Sequence, residues 1–190
     1  MSELTKESIV STKDITYIAI FVSLIAVCSF ISIPLQIPIT MQSFAIMLCG
    51  SLLGKKRGTI AVLIYILLGV IGLPVFAGFS SGIAVISGPP GGYIIGFIFM
   101  SFIIGLIIEK LGNKTYILAL AMFSGLIVCY IFGSLWFLFI YTKGNSNLLT
   151  CLSLCVFPFI IPDIAKIILA TFITNRLSKN SFFRSLSLFK

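Results

Sequence analysis

Apolar residues fill this chain in long blocks that charged residues interrupt at only a few places. Residues 15–54 contain no Asp, Glu, Lys or Arg, and neither do 58–108 or 115–142. Each block exceeds the ~20 apolar residues that cross a bilayer core. The first is twice that length and must fold back on itself. Its break is Ile33-Pro34-Leu35-Gln36-Ile37-Pro38-Ile39-Thr40, where two prolines lack the donors a helix needs. Helices are therefore expected at about 15–33 and about 41–53, the second ended by Lys55-Lys56-Arg57.

The second block predicts a helix at about 58–72, then a stretch unlike the rest. Residues 72–92 read GLPVFAGFSSGIAVISGPPGG, with six glycines and prolines near both ends. That density opposes regular helix, yet the stretch is too apolar for a simple solvated loop. Such backbone is tolerated near a membrane where protein buries it or where it lines a cavity. Helices at about 93–109, 115–141 and 150–175 complete the set. The fold class expected is an all-α integral membrane protein of six transmembrane helices, with a Gly-rich extracellular loop between helices 3 and 4. A polar segment 1–14 precedes the membrane domain 15–175, and a basic tail 176–190 follows it. The first span reads as retained, since no small-residue cleavage site follows it.

Composition sharpens this picture by exclusion. Charged residues make up 9% of the 190, against about 25% in soluble domains, so the chain cannot cover a water-facing surface. There is no His, the commonest metal ligand and general base. Neither a metal centre nor a cofactor is expected. The five cysteines lie in apolar runs without CxxC spacing and read as small packing residues. The absence of His and of paired carboxylates also argues against an intramembrane hydrolase, so no enzyme is expected.

The net charge of +8 is a topology signal. With a cytoplasmic N-terminus, the inside segments hold Lys6, Lys13, Lys55, Lys56, Arg57, Lys110, Lys114, Arg176, Lys179, Arg184 and Lys190. Those are eleven of the thirteen basic residues; Lys143 falls outside and Lys166 lies within the last span. Both termini are then cytoplasmic in the cell membrane, and segment 72–92 faces outward. Such a distribution favours the anionic inner leaflet of the bilayer and gives no reason to invoke nucleic acid.

Asp163 and Lys166 are the sharpest chemical feature. An ionisable residue at membrane depth costs roughly 2.5–3.5 kcal/mol on insertion scales, so it normally faces a cavity and has a partner. A spacing of three puts both on one helix face, one residue after Pro162 removes a backbone donor. Together they offer an acceptor and a donor to a small molecule with N–H, C=O and anionic groups. The alternative is an ion pair that only fixes helix packing. A proton relay in an ion-coupled carrier is a thinner reading, because no second carboxylate or His accompanies Asp163. Gly88, Gly91, Gly92 and Tyr93 form the second candidate: glycines permit close backbone approach to a ligand, and tyrosine offers an apolar face with a polar tip. Thr40 and Gln42, after the first proline turn, are secondary pocket candidates beside a capping role. Ala19, Ser23 and Ala26 form a small-residue stripe that lets another helix approach, as do Gly50 with Gly54 and Gly92 with Gly96. Most such stripes pack within a chain. Gly50-Ser51-Leu52-Leu53-Gly54-Lys55-Lys56 lacks the four-residue spacing and following Ser or Thr of a phosphate-binding loop. Any active transport must draw its energy elsewhere.

Ile37-Pro38-Ile39-Thr40-Met41-Gln42-Ser43-Phe44 resembles the proline–threonine–glutamine element after the first span of BioY proteins. Gly69 to Gly78 (GVIGLPVFAG) and Gly88-Pro89-Pro90-Gly91-Gly92-Tyr93 are similar to that family's central signature, and Pro162-Asp163 with Lys166 to its last-helix motif. The similarity covers about residues 15–175 in the same motif order. The chain departs from the pattern at Pro90, commonly Thr, and at Ser80-Ser81, commonly glycine-rich. The resemblance implies the biotin-specific substrate-binding (S) component of an energy-coupling factor (ECF) transporter, capturing biotin from the extracellular side. It further implies a transmembrane coupling subunit, docked on Ala19, Ser23 and Ala26, and two cytoplasmic ATPases as the energy source. An S component for another small vitamin, and a non-transporting assembly subunit, are the remaining alternatives.

Overall fold

A computed structural model describes residues 12–144 and 147–178. Most of the polar segment 1–14 and of the basic tail 176–190 lies outside the described residues. Helix α1, Thr12–Phe30, stops short of the first proline turn. The turn is a small antiparallel hairpin in which β1, Ser32–Ile33, pairs with β2, Ile39–Thr40. Both prolines fall in the connection between the strands, where no ladder donor is required of them.

The two helices expected after it form one run, α2, Gln42–Val70, with a break at Gly54. Gly54 has φ 76° and ψ −177°, a conformation essentially reserved for glycine. The break coincides with Lys55-Lys56-Arg57. Residues 72–90 are irregular apart from a 3₁₀ turn at Ala77–Phe79 and the one-turn helix α3, Ile83–Ser87. Helix α4 covers Gly91–Leu111, and α5 covers Thr115–Leu135 before continuing as π-helix through Tyr141.

The single helix expected at 150–175 is two: α6, Leu148–Cys155, and α7, Phe157–Leu177. Val156 leaves helical geometry at φ −125°, just before Pro158, whose ring cannot follow a helical turn. Pro162 stays inside α7. Thus the first of the two prolines divides the run and the second does not. Among the described residues, four helical stretches are long and apolar enough to cross a membrane: Thr12–Phe30, Gly91–Leu111, Thr115–Tyr141 and Leu149–Leu177.

Helix α4 packs between α2 and α5, α1 lies against α2, and α7 closes on α2 and α5. The close approach of α4 to the α2 break depends on Gly105, where a Cβ would run into Gly54 and the Lys55 backbone. Three polar contacts gather one end of the bundle. Lys55 pairs with Glu109 at 3.0 Å, Arg57 pairs with Asp14 at 3.0 Å, and Asn175 Nδ2 donates to Thr115 Oγ1 at 2.8 Å. The half of the bundle adjoining this basic end is densely filled. Met47, Leu52, Leu53, Met100, Ile104, Leu118 and Met122 are among its largest fully buried side chains. Ser51 and Thr174, also fully buried, bond each other at 2.9 Å across α2 and α7. The hairpin and segment 72–90 cover the opposite end.

Candidate functional site

The opposite half holds a cavity of about 90 Å³. Its walls are mostly apolar and aromatic: Phe76 from the irregular segment, Tyr93 and Phe97 from α4, and Phe159 from α7. The polar groups are few and convergent. Thr40 comes from β2, Gln42 and Ser43 from the start of α2, Tyr130 from late α5, and Asp163 and Lys166 from the first half of α7.

Asp163 and Lys166 are 2% and 6% exposed, and Lys166 Nζ lies 2.7 Å from Asp163 Oδ1. The other two ammonium protons are also committed. One goes to the Thr40 carbonyl at 2.7 Å and one to Ser43 Oγ at 3.1 Å. Ser43 Oγ donates in turn to Asp163 Oδ1 at 3.1 Å, so the hydroxyl bridges the pair. Tyr130 Oη donates to Asp163 Oδ2 at 2.7 Å. An ammonium has three donors and a carboxylate about four acceptor sites. The lysine is therefore saturated, while the carboxylate keeps acceptor capacity on Oδ2 beside the cavity. Any group that bonds Lys166 must displace one of its present partners. Ser43, held by two 3.1 Å bonds, is the most weakly bound of them.

The sequence candidates divide on inspection. Asp163, Lys166, Thr40, Gln42 and Tyr93 all line the cavity. Tyr93 contributes only its ring, which stacks with Phe159 at 5.7 Å; its hydroxyl donates to the Cys155 carbonyl and is not offered inward. Gly88, Gly91 and Gly92 are not among the residues that line the cavity, whereas the intervening Pro90 is. Gly88 accepts from Trp136 Nε1 at 3.2 Å. A Cβ at Gly91 would meet the Ile86 carbonyl, and one at Gly92 would meet Trp136 and the Phe132 carbonyl. The glycines let α4 begin hard against α3 and the π-helix. Their compactness serves backbone packing.

Ser43 and Tyr130 were missed. Ser43 had no distinguishing local signal. Tyr130 did: a phenol midway along an apolar span needs a partner for its hydroxyl. Ala19 and Ser23 are exposed on α1 and Ala26 is half-buried, so the stripe faces outward. Gly50 and Gly96 instead pack against Ser101 and Cys129 within the chain. All five cysteines are buried and unpaired. Among the described residues, no three His, Cys, Asp or Glu side chains cluster as metal ligands.

Comparison with known proteins agrees with this geometry. The model of the BioY family matches residues 2–182. A probable biotin transporter BioY of Pyrococcus horikoshii is 42% identical over 170 residues, covering 89% of this chain and 98% of that protein. A biotin transporter BioY of Thermotoga maritima is 42% identical over 161 residues, 84% and 92% of the two chains. The crystal structure of the S-component for biotin from an ECF-type ABC transporter superposes with a TM-score of 0.83 at 35% identity. That match covers 92% of this chain and 95% of the other. With this identity and coverage, the chain belongs to the BioY family.

Proposed function

We propose that the chain is the biotin-binding S component of an ECF-type uptake transporter and captures biotin in the cavity at the hairpin end. The observation that carries the reading is the buried Asp163–Lys166 pair on the cavity wall, with acceptor capacity left on the carboxylate. Biotin presents a ureido ring with two N–H donors and one carbonyl, an apolar sulfur-containing ring and a carboxylate tail. Asp163 Oδ2 accepts from a ureido N–H. Lys166 donates to the ureido carbonyl or to the carboxylate, with Ser43 giving way. Phe76, Tyr93, Phe97 and Phe159 cover the apolar ring, where burial contributes about 25 cal/mol per Å². The chain carries out no chemical conversion; its curated relatives are named as transporters.

The topology proposed is six spans within 15–175, counting the two halves of α2 separately and α6 with α7 as one. The segment 1–14 and the tail 176–190 are cytoplasmic. Lys55–Arg57, Lys110, Lys114 and Arg176 then share the cytoplasmic side, as the positive-inside rule favours, and the cavity mouth faces outward. Ala19, Ser23 and Ala26 form the docking face for the transmembrane coupling subunit, behind which two ATPases supply the energy. Their outward position on α1 fits that role.

Equilibrium binding of labelled biotin to the detergent-purified chain, alongside Asp163→Ala and Lys166→Ala, tests the reading. The parent is expected to bind tightly, to resist competition by excess of other vitamins, and to lose binding in both variants. A well-folded parent that does not bind biotin would sink the assignment.

A further inference from the structure

The Gln42 side chain is held at both ends. Its Nε2 donates to Tyr65 Oη at 2.5 Å, and its Oε1 accepts from Thr40 Oγ1 at 2.9 Å. Tyr65 is fully buried in the second half of α2 and does not line the cavity. Its single hydroxyl proton goes to the Val75 carbonyl at 2.9 Å. A backbone carbonyl can only accept, so Tyr65 has nothing but lone pairs left for Gln42. The amide must therefore turn its NH₂ toward Tyr65 and its oxygen toward Thr40. A flipped amide would oppose two oxygens with no proton between them.

The same phenol holds a stretch of the cavity wall. Val75 also accepts from Ser29 Oγ of α1 at 2.7 Å. The next residue, Phe76, lines the cavity and meets the Tyr65 ring edge-on at 5.7 Å. Phe76 N–H bonds the Ser80 carbonyl at 3.1 Å, and Ala77 and Ser80 line the cavity too. Tyr65 thus stands behind both a polar contact group and an apolar wall.

We propose that Tyr65 is a positioning residue for ligand capture. Through one oxygen it fixes which way the Gln42 amide faces and ties segment 75–80 to α2, without touching the ligand. The affinity effect rests on the functional reading above, while the tie of segment 75–80 to α2 does not.

Tyr65→Phe removes that oxygen and keeps the ring. Biotin affinity is expected to fall about tenfold, within the range of one lost hydrogen bond. In a Gln42→Met background the same substitution should change affinity less than twofold, because the group it positions is gone. An equal loss in both backgrounds overturns the relay through Gln42. A ligand-independent arm is amide hydrogen exchange of the biotin-free chain. Exchange at Phe76 and Ser80 should be several-fold faster in Tyr65→Phe, and unchanged exchange overturns the tie to the wall. If the parent fails to bind biotin, the functional reading falls while this arm still decides the tie. Should Tyr65→Phe not fold, Gln42→Met alone serves: exchange stays at the parent level while affinity drops, and faster exchange overturns the proposed order of dependence.

Discussion

At the scale of single residues, the buried ion pair invites a test that separates binding from packing. Removing one member leaves an uncompensated buried charge, which typically costs about 3–5 kcal/mol. Replacing both with apolar residues of similar volume is often neutral for folding. Asp163→Leu and Lys166→Met are therefore each expected to melt well below the parent in detergent. The double variant should melt within a few degrees of it, yet bind no biotin. A double variant as unstable as the singles would make the pair a packing device first. The pair itself was legible in the sequence, because a spacing of three within one helix fixes the neighbours. Its bridging partners were not. Ser43 and Tyr130 lie 120 and 33 residues from Asp163 along the chain, and only tertiary packing brings them together. The glycines near Tyr93 were legible as unusual but not as to purpose, since a ligand and a neighbouring helix both demand a missing Cβ.

Among the elements, the break in α2 is the most specific requirement on a residue type. Gly54 sits where a side chain is strained, and α4 presses Gly105 against that point. Gly54→Ala is expected to destabilise the chain by about 1–3 kcal/mol, seen as a lower melting temperature. Biotin affinity should be little changed, because the break is outside the cavity lining. Most helix positions were legible from charge-free runs bounded by proline or lysine. Two features were not. The hairpin between Ser32 and Thr40 is too short to show a two-residue period. The division of the last run at Val156 reflects a choice between Pro158 and Pro162 that local sequence does not make: both lack a donor, but only Pro158 stands where α6 can end against α5 and Tyr93 can bond the Cys155 carbonyl.

For the whole molecule, the cavity and the basic end occupy opposite halves, and the half between cavity floor and basic end is filled. Side chains such as Met47, Met100, Ile104 and Met122 are fully buried there, and the Ser51–Thr174 bond satisfies two hydroxyls, while the buried Ser101 hydroxyl has no partner among the described residues. The bundle has the form of a cup whose base is built of buried side chains. In a membrane such a cup is expected not to short-circuit the proton gradient. Liposomes carrying the chain alone are accordingly expected to hold an imposed pH difference as long as empty ones, and a faster collapse would mean that the base leaks. A cell could then stock the vitamin-capturing part in excess without draining the electrochemical potential on which its other uptake systems run.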